Sequence, residues 1–207
     1  MRRQEEVELK WALTPDEHAR LAQALAARFG PPHDLDQRNR FFDAADGRLR
    51  RAGLSVRVRR ENARIVLTCK MKVGDRAADD ALFRHGEWER DLDPPLWAAA
   101  EAAPPGLADA LALPEAHKRA LDGAELVALG GFDNHRLEWH APDVGELICL
   151  DRTTFSDGVD HELEIETTDP VATAARWGRW FATLGIPLRP QPTTKFARFL
   201  ARRAGTR

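Results

Sequence analysis

The chain has few cysteines, no long apolar run and almost no net charge, and each shortage removes a class of protein. Of its 207 residues only Cys69 and Cys149 are cysteine. They lack metal-ligand spacing and suggest no disulfide scaffold, which fits a reducing compartment. No apolar stretch approaches the roughly 20 residues that a membrane helix needs. The N-terminus turns acidic by Glu5, which makes it a poor secretory signal. A formal net charge of −2 provides no general attraction to nucleic acid or to an anionic membrane. There is also no basic stripe with interleaved aromatics, no low-complexity tract and no close internal repeat. The expectation is a cytoplasmic globular protein with neither membrane nor nucleic-acid partners; no pattern bears on oligomeric state.

What the chain has in excess is charge, 31% of its residues against a typical quarter or so. The length suits a single domain spanning 1–207. Thr14-Pro15-Asp16-Glu17 reads as a capped helix start, with Leu21, Leu25 and Phe29 on one face and Gly30 as the stop. Between about 94 and 123, alanine, leucine and proline dominate, and a helical insertion is expected; His117 within it reads as exposed, with no metal role. Asp169-Pro170 starts a helix with Val171, Ala174, Ala175, Trp177 and Phe181 as its buried stripe. Thr193 or Thr194 caps a short terminal helix.

The remaining segments alternate with a period of two, the spacing of a strand with one apolar face. Such segments run from Glu6 to Leu13, Gln37 to Asp43, Leu54 to Arg59, Ile65 to Lys72 and around Glu87 to Glu89. Others run from Glu125 to Leu129, Arg136 to His140, Glu146 to Asp151 and His161 to Glu166. Gly130-Gly131 reads as a break between two of them, 49–53 as a short connection, and 74–81 as a loop. Turns fall at Asp46-Gly47, Asn62-Ala63 and Asp157-Gly158, the last making a hairpin.

On the polar faces of these strands the charge is sorted by sign. Acid pairs stand at Glu6/Glu8, Glu87/Glu89 and Glu162/Glu164; basic pairs stand at Arg57/Arg59 and Lys70/Lys72. Like charges two apart on a wet surface repel and gain nothing. They make sense when they converge on a ligand that is multiply anionic and metal-bound. An antiparallel barrel of roughly eight strands encloses a narrow lumen, and one closed with its polar side inward would bring them together. Clustered Arg and Lys suit phosphate oxygens; clustered carboxylates suit a hard divalent cation such as Mg²⁺ or Mn²⁺.

The ordered set of motifs resembles the triphosphate tunnel metalloenzymes, the CYTH superfamily, over essentially the whole chain. Its mark is ExExK near the N-terminus, here Glu6-x-Glu8-x-Lys10. Further matches are Arg38-Asn39-Arg40-Phe41-Phe42-Asp43, Gly53-x-x-x-Arg57-x-Arg59, the Lys70 strand, Glu87-x-Glu89, Leu150-Asp151, Glu162-x-Glu164 and Thr194-Lys195-Phe196. The stretches Gln37 to Asp43 and Leu129 to Arg136 look most like the small tripolyphosphatase branch. The resemblance implies an α+β fold: an eight-stranded antiparallel β-barrel tunnel with a charged lumen, flanked by helices. It implies hydrolysis of inorganic triphosphate with Mg²⁺ or Mn²⁺. Carried over by position, Lys10, Arg57, Arg59, Lys70, Arg136 and Lys195 would hold phosphate, and Glu6, Glu8, Asp151, Glu162 and Glu164 would gather metal. Lys70 with Glu87 or Glu89 would serve the chemistry, one carboxylate accepting a proton from water. Other uses of the same tunnel are adenylate cyclase and thiamine triphosphatase, for which Trp88 or Trp139 could stack a ring, although both read more simply as outward-facing core. A non-catalytic polyphosphate-binding module is the alternative from another class.

Overall fold

Alternation sets the first element of the computed structural model, which describes residues 2–73 and 81–205; the loop expected over 74–81 lies outside the described residues except for Ala81. Strand β1 (Arg2–Leu13) buries Leu9, Trp11 and Leu13. Helix α1 (Pro15–Phe29) follows at once. Thr14 Oγ1 accepts from the Glu17 N–H at 3.3 Å while Glu17 Oε2 accepts from the Thr14 N–H at 2.8 Å, the reciprocal box the residues announce. Gly30, at φ +86°, stops the helix.

The chain continues through β2 (His33–Asp43), α2 (Arg48–Arg51), β3 (Leu54–Glu61), β4 (Arg64–Lys72) and β5 (Leu82–Leu92). The insertion follows as α3 (Pro95–Ala102), α4 (Leu107–Ala110) and α5 (Glu115–Leu121). Then come β6 (Val127–Ala141), β7 (Glu146–Phe155), β8 (Gly158–Glu166), α6 (Pro170–Thr183), the two-residue β9 (Arg189–Pro190) and α7 (Lys195–Gly205). Backbone pairing orders the strands β5-β4-β3-β2-β6-β7-β8-β1-β9, with β5 also paired to β1. Eight long strands in a closed order, with helices, are the β-barrel connectivity and the α+β class expected. No helix among the described residues is long and apolar enough to cross a membrane.

The described residues divide into two compact units, one built on Asp36–Val73 and His85–Asp133, the other on Glu6–Leu35 and residues 134–205. In the first, Val56, Val58, Ile65, Leu67 and Cys69 share a core with Trp97, Ala100, Leu107, Leu111 and Leu121 of the insertion. In the second, Leu9, Trp11, Ile148, Leu150, Leu163 and Ile165 pack on Leu21 and Leu25 of α1 and on Trp177 and Phe181 of α6. In both, helices take the apolar face of the strands.

Four local expectations change. Gly130 and Gly131 do not break a strand; β6 runs through them. A Cβ on Gly131 would lie 1.7 Å from the Asn39 carbonyl oxygen, so the glycine permits close backbone approach. His117 is fully buried, its Nε2 3.2 Å from the Ser55 carbonyl and its ring edge-on to Trp88. The stripe of α6 is rotated: Val171 is 80% exposed and Thr173 is buried in its stead. The reason is polar, since Glu146 is enclosed by Thr173 Oγ1, Arg176 and Trp177 Nε1. Finally, 49–53 contains most of the one-turn α2, which Asp43 organises by accepting from the N–H groups of Ala44 (2.8 Å), Leu49 (2.9 Å) and Arg50 (3.2 Å).

Candidate functional site

Directly opposed residues of paired strands share a face, so register alone assembles the charged surface of each unit. In the first unit Gln37, Asn39 and Phe41 of β2 stand opposite Glu61, Arg59 and Arg57 of β3. Arg57 is opposite Thr68, and Ser55 opposite Lys70. Thr68 and Lys70 are opposite Glu89 and Glu87. The expected Arg57, Arg59, Lys70, Glu87 and Glu89 therefore lie on one face.

Their partners differ. Lys70 Nζ is 2.7 Å from Glu87 Oε2, and Glu87 is buried. Arg59 reaches Glu61 at 3.2 Å and Glu89 at 3.8 Å, while Gln37 donates to Glu61 at 2.7 Å. Glu89 accepts from Thr68 Oγ1 at 3.2 Å, and its side chain is 38% exposed. Arg57 donates only to Thr68 Oγ1, at 3.0 Å; it has no carboxylate partner among the described residues. Lys72 lies exposed at the end of β4.

In the second unit β1 and β8 pair so that Lys10 faces Glu164 and Ala12 faces Glu162; Asp151 of β7 is opposite Glu162. Arg136 of β6 grips Asp151 as a fork, Nε to Oδ1 at 2.8 Å and Nη2 to Oδ2 at 2.7 Å, and its Nη2 also reaches Glu164 at 2.5 Å. Lys195, at the start of α7, places its ammonium against Asp151 and Glu164, each at 2.8 Å, and against Glu162. Lys10 pairs with Glu164 and, at 2.9 Å, with Glu8. Asn134 donates to Asp151 at 2.9 Å and accepts from Thr153 Oγ1 at 2.7 Å. Lys10, Glu8, Asp151, Glu162 and Glu164 are all buried.

Charge neutralisation outweighs desolvation at Asp151, Glu164 and Lys195. Burial alone would raise the Asp151 carboxyl, but Arg136 and Lys195 hold it down at about 2. Burial opposes ionisation of Glu164 as well, and Lys10, Lys195 and Arg136 keep it well below the usual carboxylate range. Burial would lower the Lys195 ammonium, yet Asp151, Glu162 and Glu164 raise it far above the ordinary value. Asp151 and Glu164 are therefore ionised, and Lys195 protonated, at neutral pH.

Asp151, Glu162 and Glu164 each offer an oxygen, all within 4.8 Å of one another. Lys195 touching all three shows that the trio is built to hold positive charge. Three hard carboxylate oxygens suit Mg²⁺ or Mn²⁺, so the residues present fit a divalent cation. Glu6 and Glu8 of β1 supply another pair of carboxylate oxygens within 4.8 Å of each other.

Some members escape the motif reading. Arg198 donates to Glu162 at 2.6 Å and to Asp160 at 2.9 Å, and Arg202 donates to Asp160 at 2.7 Å. Arg198 lies one helical turn after Lys195, a spacing that puts both on one side of α7. Asp160 and Glu61 continue the alternation of Glu162 and Arg59 by one more step. Trp88 and Trp139 both pack among the apolar, helix-facing groups, Trp139 donating to the Gly30 carbonyl at 2.9 Å.

A closed antiparallel strand order with charge-sorted faces defines the class of the fold, and comparison with known proteins agrees. The CYTH domain model matches residues 4–199, and the chain belongs to that family, the triphosphate tunnel metalloenzymes. It is 28% identical over 195 residues to YjbK of Bacillus subtilis, a protein whose name carries a provisional triphosphatase assignment; 94% of this chain and 93% of that one are covered. Among solved structures it is similar to HpAC1 from Hippeastrum, provisionally assigned as an adenylyl cyclase and described as having a dominant triphosphatase activity. That match has a TM-score of 0.82 and 29% identity over 97% of this chain and 96% of the other. A Bacillus halodurans protein, 21% identical with a TM-score of 0.67 over 96% and 99% of the two chains, shares the fold.

Proposed function

We propose that this protein hydrolyses inorganic triphosphate to pyrophosphate and phosphate, with Mg²⁺ or Mn²⁺ as the divalent cation. The triphosphatase assignments of YjbK and HpAC1 support the reaction class. The observation that carries the reading to this chain's own residues is Arg57. Its guanidinium stands half-buried on a charged face with a threonine hydroxyl as its hydrogen-bond partner and, among the described residues, no carboxylate. A guanidinium so placed is a seat for a phosphate oxygen, which its planar fork fits.

Phosphoryl transfer asks the protein mainly for positioning and charge stabilisation. Arg57, Arg59 and Lys70 are assigned to phosphate oxygens, as are Lys10, Arg136 and Lys195, since cations so placed offset charge on the leaving pyrophosphate. Water attacks the terminal phosphorus, the bridging P–O bond breaks, and the water's proton passes to a carboxylate. Glu89 is the better acceptor of the two candidates: Glu87 is buried and committed to Lys70, whereas Glu89 is partly exposed and loosely held. A divalent cation held by Asp151, Glu162 and Glu164, with Glu6 and Glu8, would neutralise phosphate charge and lower the pKa of bound water. The placement of Trp88 and Trp139 on the apolar faces supplies no stacking platform for adenine or thiamine.

The test is phosphate release from triphosphate, pyrophosphate, ATP, thiamine triphosphate and longer polyphosphate, each with Mg²⁺ and with Mn²⁺. Turnover is expected to favour triphosphate and to collapse in Glu6→Gln/Glu8→Gln and in Arg57→Ala/Arg59→Ala. Unchanged turnover in both double variants would sink the site assignment. Tight binding of triphosphate without turnover would make the protein a polyphosphate-binding module.

A further inference from the structure

The second unit carries a cavity of about 370 Å³ on its helix-packed side, where the end of α1, the β6–β7 turn and α6 meet. Its walls include Arg28, Arg176 and Arg179 together with Phe29, Trp177 and Trp180. None of these belongs to the charged faces described above. The volume falls within the roughly 300–1,000 Å³ of small-molecule sites, which pair apolar walls with a few placed polar groups.

The aromatic wall is already organised. Trp177 is oriented by its Nε1 donating to the buried Glu146 at 2.6 Å, and Trp180 stands edge-on to it with ring centroids 5.3 Å apart. The Arg28 guanidinium lies 5.3, 5.9 and 5.2 Å from the ring centroids of Phe29, Trp177 and Trp180. Stacking on rings orients its charge but satisfies none of its N–H donors. Arg28 and Arg179 are both solvent-exposed, and among the described residues neither has a carboxylate or a hydrogen-bonding partner. Arg176 is pinned by Glu146, and its Nε, shielded from solvent, has no acceptor. Among the described residues the one acid in the wall is Asp143, and the three arginines outnumber it.

We propose that this cavity binds a small planar aromatic oxyanion, an aryl carboxylate or aryl phosphate, with its ring among Phe29, Trp177 and Trp180 and its head group on Arg28 and Arg179. Neither half of the wall suffices alone. A purely apolar ligand leaves the guanidiniums unused, and inorganic phosphate leaves the aromatic wall wet.

The experiment is calorimetric titration of the full chain with 1-naphthoate, 1-naphthyl phosphate and the uncharged 1-naphthalenemethanol, each repeated with excess tripolyphosphate present. Both anions are expected to bind, one per chain, at least about tenfold more tightly than the alcohol, a difference of about 1.4 kcal/mol. Tripolyphosphate is expected to leave that binding intact, and the preferred head group identifies which source of oxyanion the site takes. Arg28→Gln/Arg179→Gln is expected to weaken both anions about tenfold or more, with an unchanged thermal midpoint and unchanged phosphate release from triphosphate. Equal binding of the alcohol, absence of saturable heat, displacement by tripolyphosphate, or full binding in the double variant would each overturn the proposal. Because the anions are compared first on the unaltered chain, the result stands whether or not the double variant folds. It is also independent of whether triphosphate proves to be the substrate.

Discussion

Glu164→Gln removes one negative charge from the centre of the second unit's buried cluster while nearly keeping side-chain volume. Glu164 meets Lys10, Lys195 and Arg136. Each of those cations keeps a second partner: Lys10 retains Glu8 at 2.9 Å, Arg136 retains Asp151 at 2.7 Å, and Lys195 retains Asp151 at 2.8 Å. Breaking a buried pair costs about 3–5 kcal/mol, and the surviving partners put this variant at the lower end, about 3 kcal/mol. For a chain of this size each kcal/mol moves the thermal midpoint roughly 2–4 °C, so a fall of about 6–12 °C is expected. The cluster would then carry one negative charge fewer. Metal-free tripolyphosphate should bind the variant more tightly than the unaltered chain, and Mg²⁺ should bind it more weakly. At about 100 times its Kd the anion should restore about 2.7 kcal/mol. Thermal unfolding with and without tripolyphosphate, alongside titration of each ligand, measures all three effects. An unchanged midpoint, or tripolyphosphate binding no tighter than before, would refute the view that these acids and bases form one balanced cluster open to an anion.

Acid should weaken the fold in two windows. Burial, with help from the neighbouring His161, lowers the His18 imidazole to about 4; the unfolded chain takes up that proton near 6.5. Stability should therefore fall between about pH 6.5 and 4, and in His18→Gln that slope in a urea-midpoint profile should flatten. Asp151 is held down at about 2, so its contribution is complete above about pH 4 and is lost as pH falls toward 2; Asp151→Asn should remove this lower window. Gly131→Ala should cost more than the about 1 kcal/mol of an ordinary substitution, because its Cβ would meet the Asn39 carbonyl at 1.7 Å. A thermal midpoint equal to that of the unaltered chain would contradict the close approach. Glu146→Gln, measured the same way, should lower the midpoint by removing the carboxylate that Thr173, Arg176 and Trp177 share.

The residues that could be placed from the chain alone are those whose position depends on near neighbours. The two-residue period put Glu6, Glu8 and Lys10 on one face and Leu9 and Trp11 on the other, and the Thr14–Glu17 spacing forecast the cap of α1. Partners distant in sequence were harder. His117 looked solvated because its own segment is loose and alanine-rich, yet a carbonyl 62 positions earlier fixes its ring. Val171 looked like core by hydropathy, yet the buried Glu146, reached across 27 residues by Thr173, turns α6 so that Val171 faces solvent. Gly130-Gly131 looked like a break because glycine weakens strands; that β6 needs a bare backbone is visible only once Asn39 lies beside it. The same asymmetry governs the charged faces. Periodicity sorted the acids from the bases, but it could not say that Lys195 would close on Asp151, Glu162 and Glu164 together, or that Arg57 would donate to the Thr68 hydroxyl. Those pairings separate the two faces chemically: in the second unit the cations come already matched to acids, and in the first Arg57 has none among the described residues. An anionic ligand therefore has its strongest electrostatic call on β3, and a cationic one on the carboxylates of β7 and β8. Arg57→Ala should thus weaken triphosphate binding with little effect on Mg²⁺, and Glu162→Gln should do the reverse.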